Sequence, residues 1–256
     1  MKKDTIFNDI ANMLDLGNII APAKKLTGGF AHEMFAVETN KRKYAIKLLN
    51  QETIVRHGGF ENYATSEYLE KILQDNGLPI VPSLEFNGKK MQFIDNQHFY
   101  VFDWVEGRAL ASHEIQKEHC EIIGSILGKI HKIEHDKKSI DKFEINVDWD
   151  FYIEMALKKR SEIADLLKNN RTLLYKVQTD YDTALKEVSD NIVISNGDMD
   201  SKNVLWVDGK PHIVDLECLT YSNPYTELFQ LALCWSGCEH YAINYGLLTV
   251  FIKSYI

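Results

Sequence analysis

Three side chains near residue 200 could carry out chemistry together. In the segment NGDMDSKN, Asp198 follows a glycine after an apolar stretch, and Asn203 comes five residues later. Asp215 ends a second short apolar stretch. A carboxylate at Asp198 can accept the proton of an attacking hydroxyl, and amide and carboxylate oxygens at the other two positions can ligate Mg²⁺. A base beside a magnesium site is the arrangement that phosphoryl transfer requires.

Two segments nearer the N-terminus have features of a phosphate-binding site. Lys47 lies in the apolar run YAIKLL, where a charge is costly unless it is paired; an exposed strand face is the alternative position for it. The segment TGGFAH precedes this run. Its two glycines, Gly28 and Gly29, allow the backbone to approach a phosphate closely, and Phe30 follows them. We interpret His32 as a surface residue of this loop.

The first hundred residues are predicted to form mostly strands with one helix. Residues 34–38 and 44–49 have strand composition on either side of a turn and predict a β-hairpin. A second hairpin is predicted from 91–95 and 98–105. Apolar residues over 68–73 recur at helical spacing, which places the helix between the two hairpins. The lysine would therefore lie in a sheet that one helix covers.

Residues after 107 are predicted to be mainly helical, with short strands around the candidate chemical residues. This change of pattern indicates two lobes whose boundary lies near 102–107. The strands predicted over 204–207 and 212–214 would form a hairpin that brings Asp198 and Asp215 close together. Helices are predicted over 123–130, from about 149, over 174–188 and over 226–235, and strands over 192–195, 204–207 and 212–214.

Composition and charge limit the class of protein. Hydrophobic residues make up 45% of the 256 positions and charged residues 26%, as in ordinary soluble proteins. The longest apolar run is far shorter than the ~20 residues that a membrane span needs, and the N-terminus lacks the apolar core of a secretion signal. The net charge of −8 argues against a nucleic-acid partner. We therefore predict a cytoplasmic protein with no membrane or nucleic-acid partner, and we interpret its four cysteines as reduced thiols.

The loop and the strand after it match the pattern of a known group of enzymes. Aminoglycoside phosphotransferases and choline kinases, whose fold resembles that of protein kinases, carry H-G-D-x-x-x-x-N and then I-D-W/F-E. This chain has NGDMDSKN at 196–203 and IVDLE at 213–217. It departs from the first motif at Asn196, where the group has a histidine. The chain thus resembles this group, most specifically between residues 195 and 217.

The resemblance implies a two-lobed, protein-kinase-like α+β fold. Residues 1–103 would form an N-terminal nucleotide-binding lobe, built as an antiparallel sheet with one helix, and residues 104–256 a mainly helical C-terminal lobe. The resemblance also implies roles for the candidate residues: Asp198 as catalytic base, Asn203 and Asp215 as Mg²⁺ ligands, Lys47 as the lysine that contacts nucleotide phosphates, and the main chain of Asp103 and Val105 as the adenine contact.

Two further residues are identified through the same resemblance. The phosphate-contacting lysine of the group pairs with a glutamate on a helix, for which we predict Glu67. The alternatives are Glu70, Glu61 and Glu52. His131, at the end of a predicted helix, matches a common histidine of the group and is interpreted as a residue that braces the structure.

The resemblance implies transfer of the γ-phosphoryl group of ATP or GTP, with Mg²⁺, to a hydroxyl of a small molecule. An aminoglycoside-type antibiotic is the leading acceptor, and antibiotic resistance would then be the biological role. Choline, homoserine, another amino alcohol or a sugar are alternatives, and a catalytically weak nucleotide-binding protein is a further one because of Asn196. A monomer or dimer is expected. Carboxylates that could bind a cationic acceptor are Asp200, Glu217, Glu227 and Glu239.

Overall fold

The computed structural model describes residues 2–26, 31–56, 59–140 and 145–256. The chain divides into two compact units, the first formed by Met1–His135 with Val193–Ile256 and the second by Asp136–Ile192. The lobe boundary that the sequence predicts between residues 103 and 104 falls within the first unit and stays a prediction. All candidate chemical residues belong to the first unit.

The N-terminal part of the first unit is a five-stranded antiparallel sheet. Its strands lie in the order Lys24–Lys25, Glu33–Glu38, Lys43–Leu48, Gln97–Asp103 and Gln92–Ile94, so the predicted hairpins are both confirmed. In the register, Lys47 on the central strand lies between Met34 and Tyr100. The lysine therefore has a strand on each side, which excludes an edge position. The strands are β1 (Lys24–Lys25), β2 (Glu33–Glu38), β3 (Lys43–Leu48), β4 (Gln92–Ile94) and β5 (Gln97–Asp103).

Three helices accompany this sheet in the described residues, where the sequence predicted one. The predicted helix is α3 (Phe60–Asp75), which ends at Asn76. The structure adds α1 (Lys2–Met13) and the short α2 (Gln51–Arg56). In α1, Phe7 and Ile10 are buried in the core on the sheet, and the Phe7 ring lies 4.8 Å from that of Phe35. Burial of these side chains stabilises α1, because a helix of this length is only marginally stable in isolation.

A long helix, α4 (Lys117–His131), is the centre of the second core of the first unit. Its apolar stripe of Ile123, Leu127 and Ile130 is fully buried, which confirms the helix predicted from the same periodicity. The stripe packs with Leu69 and Leu73 of α3. One core therefore holds α3 and α4 together with the segments that carry the candidate site residues, since Met199, Val204, Ile213 and Leu216 belong to the same cluster.

The described residues of the second unit contain three helices, α5 (Trp149–Lys158), α6 (Ala164–Asn169) and α7 (Arg171–Glu187). The predicted start near Trp149 is confirmed, because the Asp148 side chain accepts a hydrogen bond from Phe151 N and caps α5. An exposed ion pair between Arg171 and Asp150 joins α7 to α5.

Short strands and two helices complete the first unit. The strands are β6 (Val193–Ser195), β7 (Val204–Val207), β8 (Lys210–Ile213) and β9 (Thr220–Ser222), paired antiparallel as β6-β9 and β7-β8. The helices are α8 (Pro224–Cys234) and α9 (Tyr245–Tyr255). Asn223 caps α8 by accepting a hydrogen bond from Tyr225 N. No helix within the described ranges combines the length and apolar character that a membrane span requires.

Candidate active site

Asp198 lies in the loop that joins β6 to β7. Its carboxylate and its backbone carbonyl both accept hydrogen bonds from Asn203 Nδ2, at 2.9 and 2.8 Å. The Asp198 side chain is 34% exposed. Its pKa is raised, first by partial burial and then by the charge of Asp200, against the opposing effect of Lys202. The structure therefore joins the predicted base to the first predicted metal ligand and leaves the base accessible.

The backbone of this loop is anchored by a buried glutamate on α8. Glu227 Oε1 accepts hydrogen bonds from the amides of Asn196 and Gly197, both at 2.9 Å. Its Oε2 lies 2.9 Å from His131 Nε2, and His131 Nδ1 lies 2.9 Å from the Tyr255 hydroxyl. The contacts of His131 are those of a bracing residue. Glu227 is only 5% exposed, so it is not available to an acceptor and instead holds the loop in place.

Asn196 contributes to the same loop from inside. The residue is 1% exposed, and its Oδ1 accepts a hydrogen bond from Asp198 N at 3.2 Å. Its Nδ2 is buried with no hydrogen-bond partner among the described residues. An asparagine at this position therefore orients the residue that carries the predicted base, as side-chain to backbone bonds of Asn do in turns.

Asp215 follows β8 and has a left-handed backbone, with φ 60° and ψ 60°. This conformation costs a non-glycine residue roughly 1–2 kcal/mol, and such residues are concentrated at functional sites. The neighbouring Val214 N donates to the carbonyl of Asn203 at 2.9 Å. The two predicted metal ligands are thus connected through one backbone hydrogen bond.

Lys47 is paired with two carboxylates. Its Nζ lies 2.6 Å from Asp215 Oδ1 and 2.6 Å from Glu217 Oε2. The lysine is 5% exposed, so burial disfavours its charged form, but the two carboxylates outweigh burial and raise its pKa. The alternative of an exposed strand face is therefore wrong, and Lys47 does lie at the predicted site.

His32 is buried rather than exposed, which corrects its interpretation as a surface residue. Its Nδ1 accepts a hydrogen bond from Asn50 N at 3.0 Å, so Nε2 carries the proton that faces Glu217 Oε2 at 3.3 Å. Burial alone would raise the pKa of Glu217, but the His32 hydrogen bond and the Lys47 charge lower it to about 2. Glu217 is therefore a charged part of the site.

Glu67 does not pair with Lys47 in this structure, contrary to the prediction. Its Oε1 accepts hydrogen bonds from the Tyr100 hydroxyl at 2.7 Å and from Met91 N at 3.2 Å. The lysine is held instead by Asp215 and Glu217. Glu67 and Lys47 nevertheless line one small cavity of about 20 Å³. Glu70, an alternative, is bound to Lys90 at 2.5 Å.

The predicted adenine contact lies at the end of β5. Asp103 is its last residue and pairs with Tyr44 in the sheet, and the Asp103 carboxylate lies 2.7 Å from Arg42 Nη1. Val105 follows β5. Their contact with adenine stays a prediction. Gly28, Gly29 and Phe30 lie outside the described residues.

The side chains that converge here suit a hard cation. Asn203 uses its amide nitrogen on Asp198, which leaves its amide oxygen as the ligating atom, and carboxylate oxygens come from Asp215 and Glu217. Oxygen donors of this kind are those that Mg²⁺ prefers. Within the described part of the chain, no group of three or more His, Cys, Asp or Glu side chains has metal-binding geometry by itself, so the amide and nucleotide phosphates would have to complete the ligand set.

Several residues of the site were not found from the sequence. Lys202 lies beside Asp198, and His32 supports Glu217. Glu217 was named from the sequence as a carboxylate for a cationic acceptor, and its contact with Lys47 is what the structure adds. His32 and Lys202 carry no such signal, because their partners are set by folding.

A comparison with protein-family models identifies the group to which this fold and site belong. The model described as "Phosphotransferase enzyme family" matches residues 22–246. The chain belongs to the phosphotransferase enzyme family. The match covers every candidate residue of the site. It includes Asn196, the position at which this chain departs from the histidine of the motif. No curated protein sequence matches this phosphotransferase-family chain significantly.

Solved structures share the fold of this family member at low sequence identity. Spectinomycin phosphotransferase APH(9)-Ia, in complex with ADP and spectinomycin, is similar with a TM-score of 0.73 and 13% identity, over 96% of this chain and 78% of that chain. Amicoumacin kinase hAmiN, in complex with AMP-PNP, Ca²⁺ and its ligand Ami, is similar with a TM-score of 0.67 and 14% identity, over 100% and 80%.

A third neighbour belongs to a different branch of small-molecule kinases. A choline/ethanolamine kinase family protein from Mesorhizobium loti is similar with a TM-score of 0.65 and 15% identity, over 100% of this chain and 76% of that chain. These likenesses confirm the protein-kinase-like α+β fold of aminoglycoside phosphotransferases and choline kinases, which the resemblance implied.

Proposed function

We propose that this protein transfers the γ-phosphoryl group of ATP or GTP, with Mg²⁺, to a hydroxyl of a small molecule. The observation that carries the proposal is the convergence of Asp198, Asn203, Asp215 and Lys47 in one site of a phosphotransferase-family chain. Lys47 is distant in sequence from the other three, with 168 positions between it and Asp215. Their types match the base, the metal ligands and the phosphate-binding cation of the reaction.

Each side chain has one role in this proposal. Asp198 accepts the proton of the acceptor hydroxyl, and its raised pKa makes it a stronger base than an ordinary aspartate. Asn203, Asp215 and Glu217 would hold Mg²⁺, which supplies positive charge beside the phosphate oxygens when it is bound. Lys47 would then contact the nucleotide phosphates. Main-chain groups of Asp103 and Val105 would bind adenine.

The acceptor is proposed to be an aminoglycoside-type antibiotic. The support is the likeness to the spectinomycin enzyme and the net charge of −8, which favours a cationic ligand. Choline, homoserine, another amino alcohol or a sugar remain the alternatives, and the choline/ethanolamine kinase neighbour supports the amino alcohols.

An acceptor screen tests this proposal. Purified protein is incubated with Mg²⁺ and either ATP or GTP, together with antibiotics, amino alcohols and sugars, and phosphorylated products are measured by mass spectrometry. We expect one acceptor class to gain a phosphate only when Mg²⁺ is present. Nucleotide binding without transfer to any acceptor would instead support the catalytically weak protein.

A further inference from the structure

Lys202 is held beside the predicted base by an acidic neighbour. Its Nζ lies 2.8 Å from Asp200 Oδ2 and 3.4 Å from Asp198 Oδ1. Asp200 Oδ1 also accepts a hydrogen bond from Lys202 N at 3.2 Å. The Asp200 side chain is 14% exposed and that of Lys202 is 56% exposed. One carboxylate therefore fixes both ends of the lysine while its ammonium group stays accessible to a ligand.

Lys202 is the second cation of a site that is rich in carboxylates. Four carboxylates, those of Asp198, Asp200, Asp215 and Glu217, lie around it, and two described cations, Lys47 and Lys202, contact them. Lys47 is buried and bound to two of the carboxylates, those of Asp215 and Glu217. Lys202 is the described cation that contacts Asp198. Lys202 is therefore the cation that contacts the carboxylate beside which a phosphoryl group would react.

We propose that Lys202 is a catalytic residue whose ammonium group contacts the phosphoryl group during transfer. This proposal rests on the proposed function. A base lies within about 3 Å of the hydroxyl whose proton it accepts, and the reacting phosphorus lies about 3–3.5 Å from that hydroxyl oxygen. A cation 3.4 Å from Asp198 Oδ1 is within reach of the oxygens on that phosphorus.

The transfer step balances, and Lys202 takes no part in the proton transfer. The acceptor oxygen forms a bond to the γ-phosphorus, and the bond from that phosphorus to the bridging oxygen breaks. The nucleoside diphosphate leaves with the electron pair, and the hydroxyl proton passes to Asp198. Lys202 keeps its proton and offsets negative charge on the transferred group, which is the type of stabilisation that lowers the barrier most. Asp200 is a positioning residue in this step.

Substitution of Lys202 tests the proposal through the separation of kcat from KM. Lys202→Met is compared with wild type in Mg²⁺-ATP turnover, with spectinomycin, choline, ethanolamine, homoserine and water as acceptors. We expect kcat to fall about 100-fold while KM for ATP changes little, and Lys202→Arg to restore much of the loss. Lys71→Met is the matched control, because Lys71 is an exposed lysine in an i,i+4 pair with Asp75.

The outcomes separate this proposal from the proposed function. Wild-type turnover with an equal kcat in Lys202→Met would overturn the role of Lys202 and leave the proposed function standing. An equal loss of ATP affinity and kcat in both Lys202 variants would also overturn it, since that pattern indicates a binding or structural role. If wild type transfers to none of these acceptors, water included, both proposals fail.

Discussion

Lys47 Nζ and Asp215 Oδ1 are 2.6 Å apart, although 168 positions separate the two residues in the sequence. This contact connects the central strand of the N-terminal sheet to the end of β8. It explains how a lysine can be buried in an apolar strand, because its charge is paired. In the proposed function Lys47 would also contact nucleotide phosphate, so Lys47→Met would remove that contact and would also leave Asp215 and Glu217 without their cation.

Gly197→Ala should impair the loop that carries Asp198. Gly197 has φ +74°, and an added Cβ would lie 2.9 Å from the carbonyl oxygen of Cys218. We expect its free energy of unfolding to fall by about 1–3 kcal/mol more than in a variant that adds only the strain of a positive φ. We also expect it to lose most of its turnover. Urea unfolding and acceptor phosphorylation measure the two effects.

Gly209→Ala is the matched control for that loop. Gly209 also has φ +74°, but nothing lies within 4 Å of its added Cβ. It should therefore show the backbone strain alone and keep normal turnover. Equal destabilisation and equal activity in the two variants would contradict the close contact between the loop and Cys218.

Cys218 should report the carboxylates around it. Its thiol pKa is raised to about 11, first by partial burial and then by the charges of Asp198, Glu217 and Asp215. The thiolate is the reactive form, so labelling by iodoacetamide at pH 8 should be slow and should still increase with pH above 9. Asp198→Asn removes one negative charge and should speed the labelling at pH 8, measured by mass spectrometry of the Cys218 peptide.

Asp75→Asn is the control for thiol labelling, because Asp75 is an exposed aspartate at the end of α3, paired with Lys71. This variant should label Cys218 at the wild-type rate. An unchanged or slower rate in Asp198→Asn would contradict the position of Cys218 among these carboxylates.

Glu70→Gln should destabilise the attachment of α3. Glu70 Oε1 accepts hydrogen bonds from Ser83 N and Oγ, both at 2.9 Å, and contacts Lys90 Nζ. Glutamine can keep the bonds to Ser83 but leaves the charge of buried Lys90 unpaired. We expect a loss of about 3 kcal/mol in unfolding free energy, measured in urea. Glu61→Gln, exposed on the same helix, should have little effect, and equal stability of the two variants would contradict the buried ion pair.

The predictable part of the molecule is the part that local pattern determines. The hairpins, α3, α4 and α8 follow from periodicity within short windows. The loop with Asp198 and Asn203 could also be found, because spacing and the flanking strands are local properties. The predicted helix α3 even ends at Asn76, as its sequence indicates.

The remaining features depend on contacts between distant segments. His32 is buried because Asn50 and Glu217 lie against it, and no property of its own segment indicates this. The resemblance and the spacing along α3 pointed to Glu67 but could not tell that Tyr100 would bind it. Helix α1 is stabilised by the sheet on which it packs, so its propensity alone gave a weak signal.

Asp198→Asn provides the most direct test of phosphoryl transfer by this site. Asparagine keeps the size of the side chain but cannot accept the hydroxyl proton. With the acceptor found in the screen, we predict that transfer falls about 10²- to 10⁴-fold while Mg²⁺-nucleotide affinity, measured by calorimetry, stays close to wild type. Transfer at the wild-type rate in Asp198→Asn would contradict the assignment of Asp198 as the base and the mechanism proposed for this site.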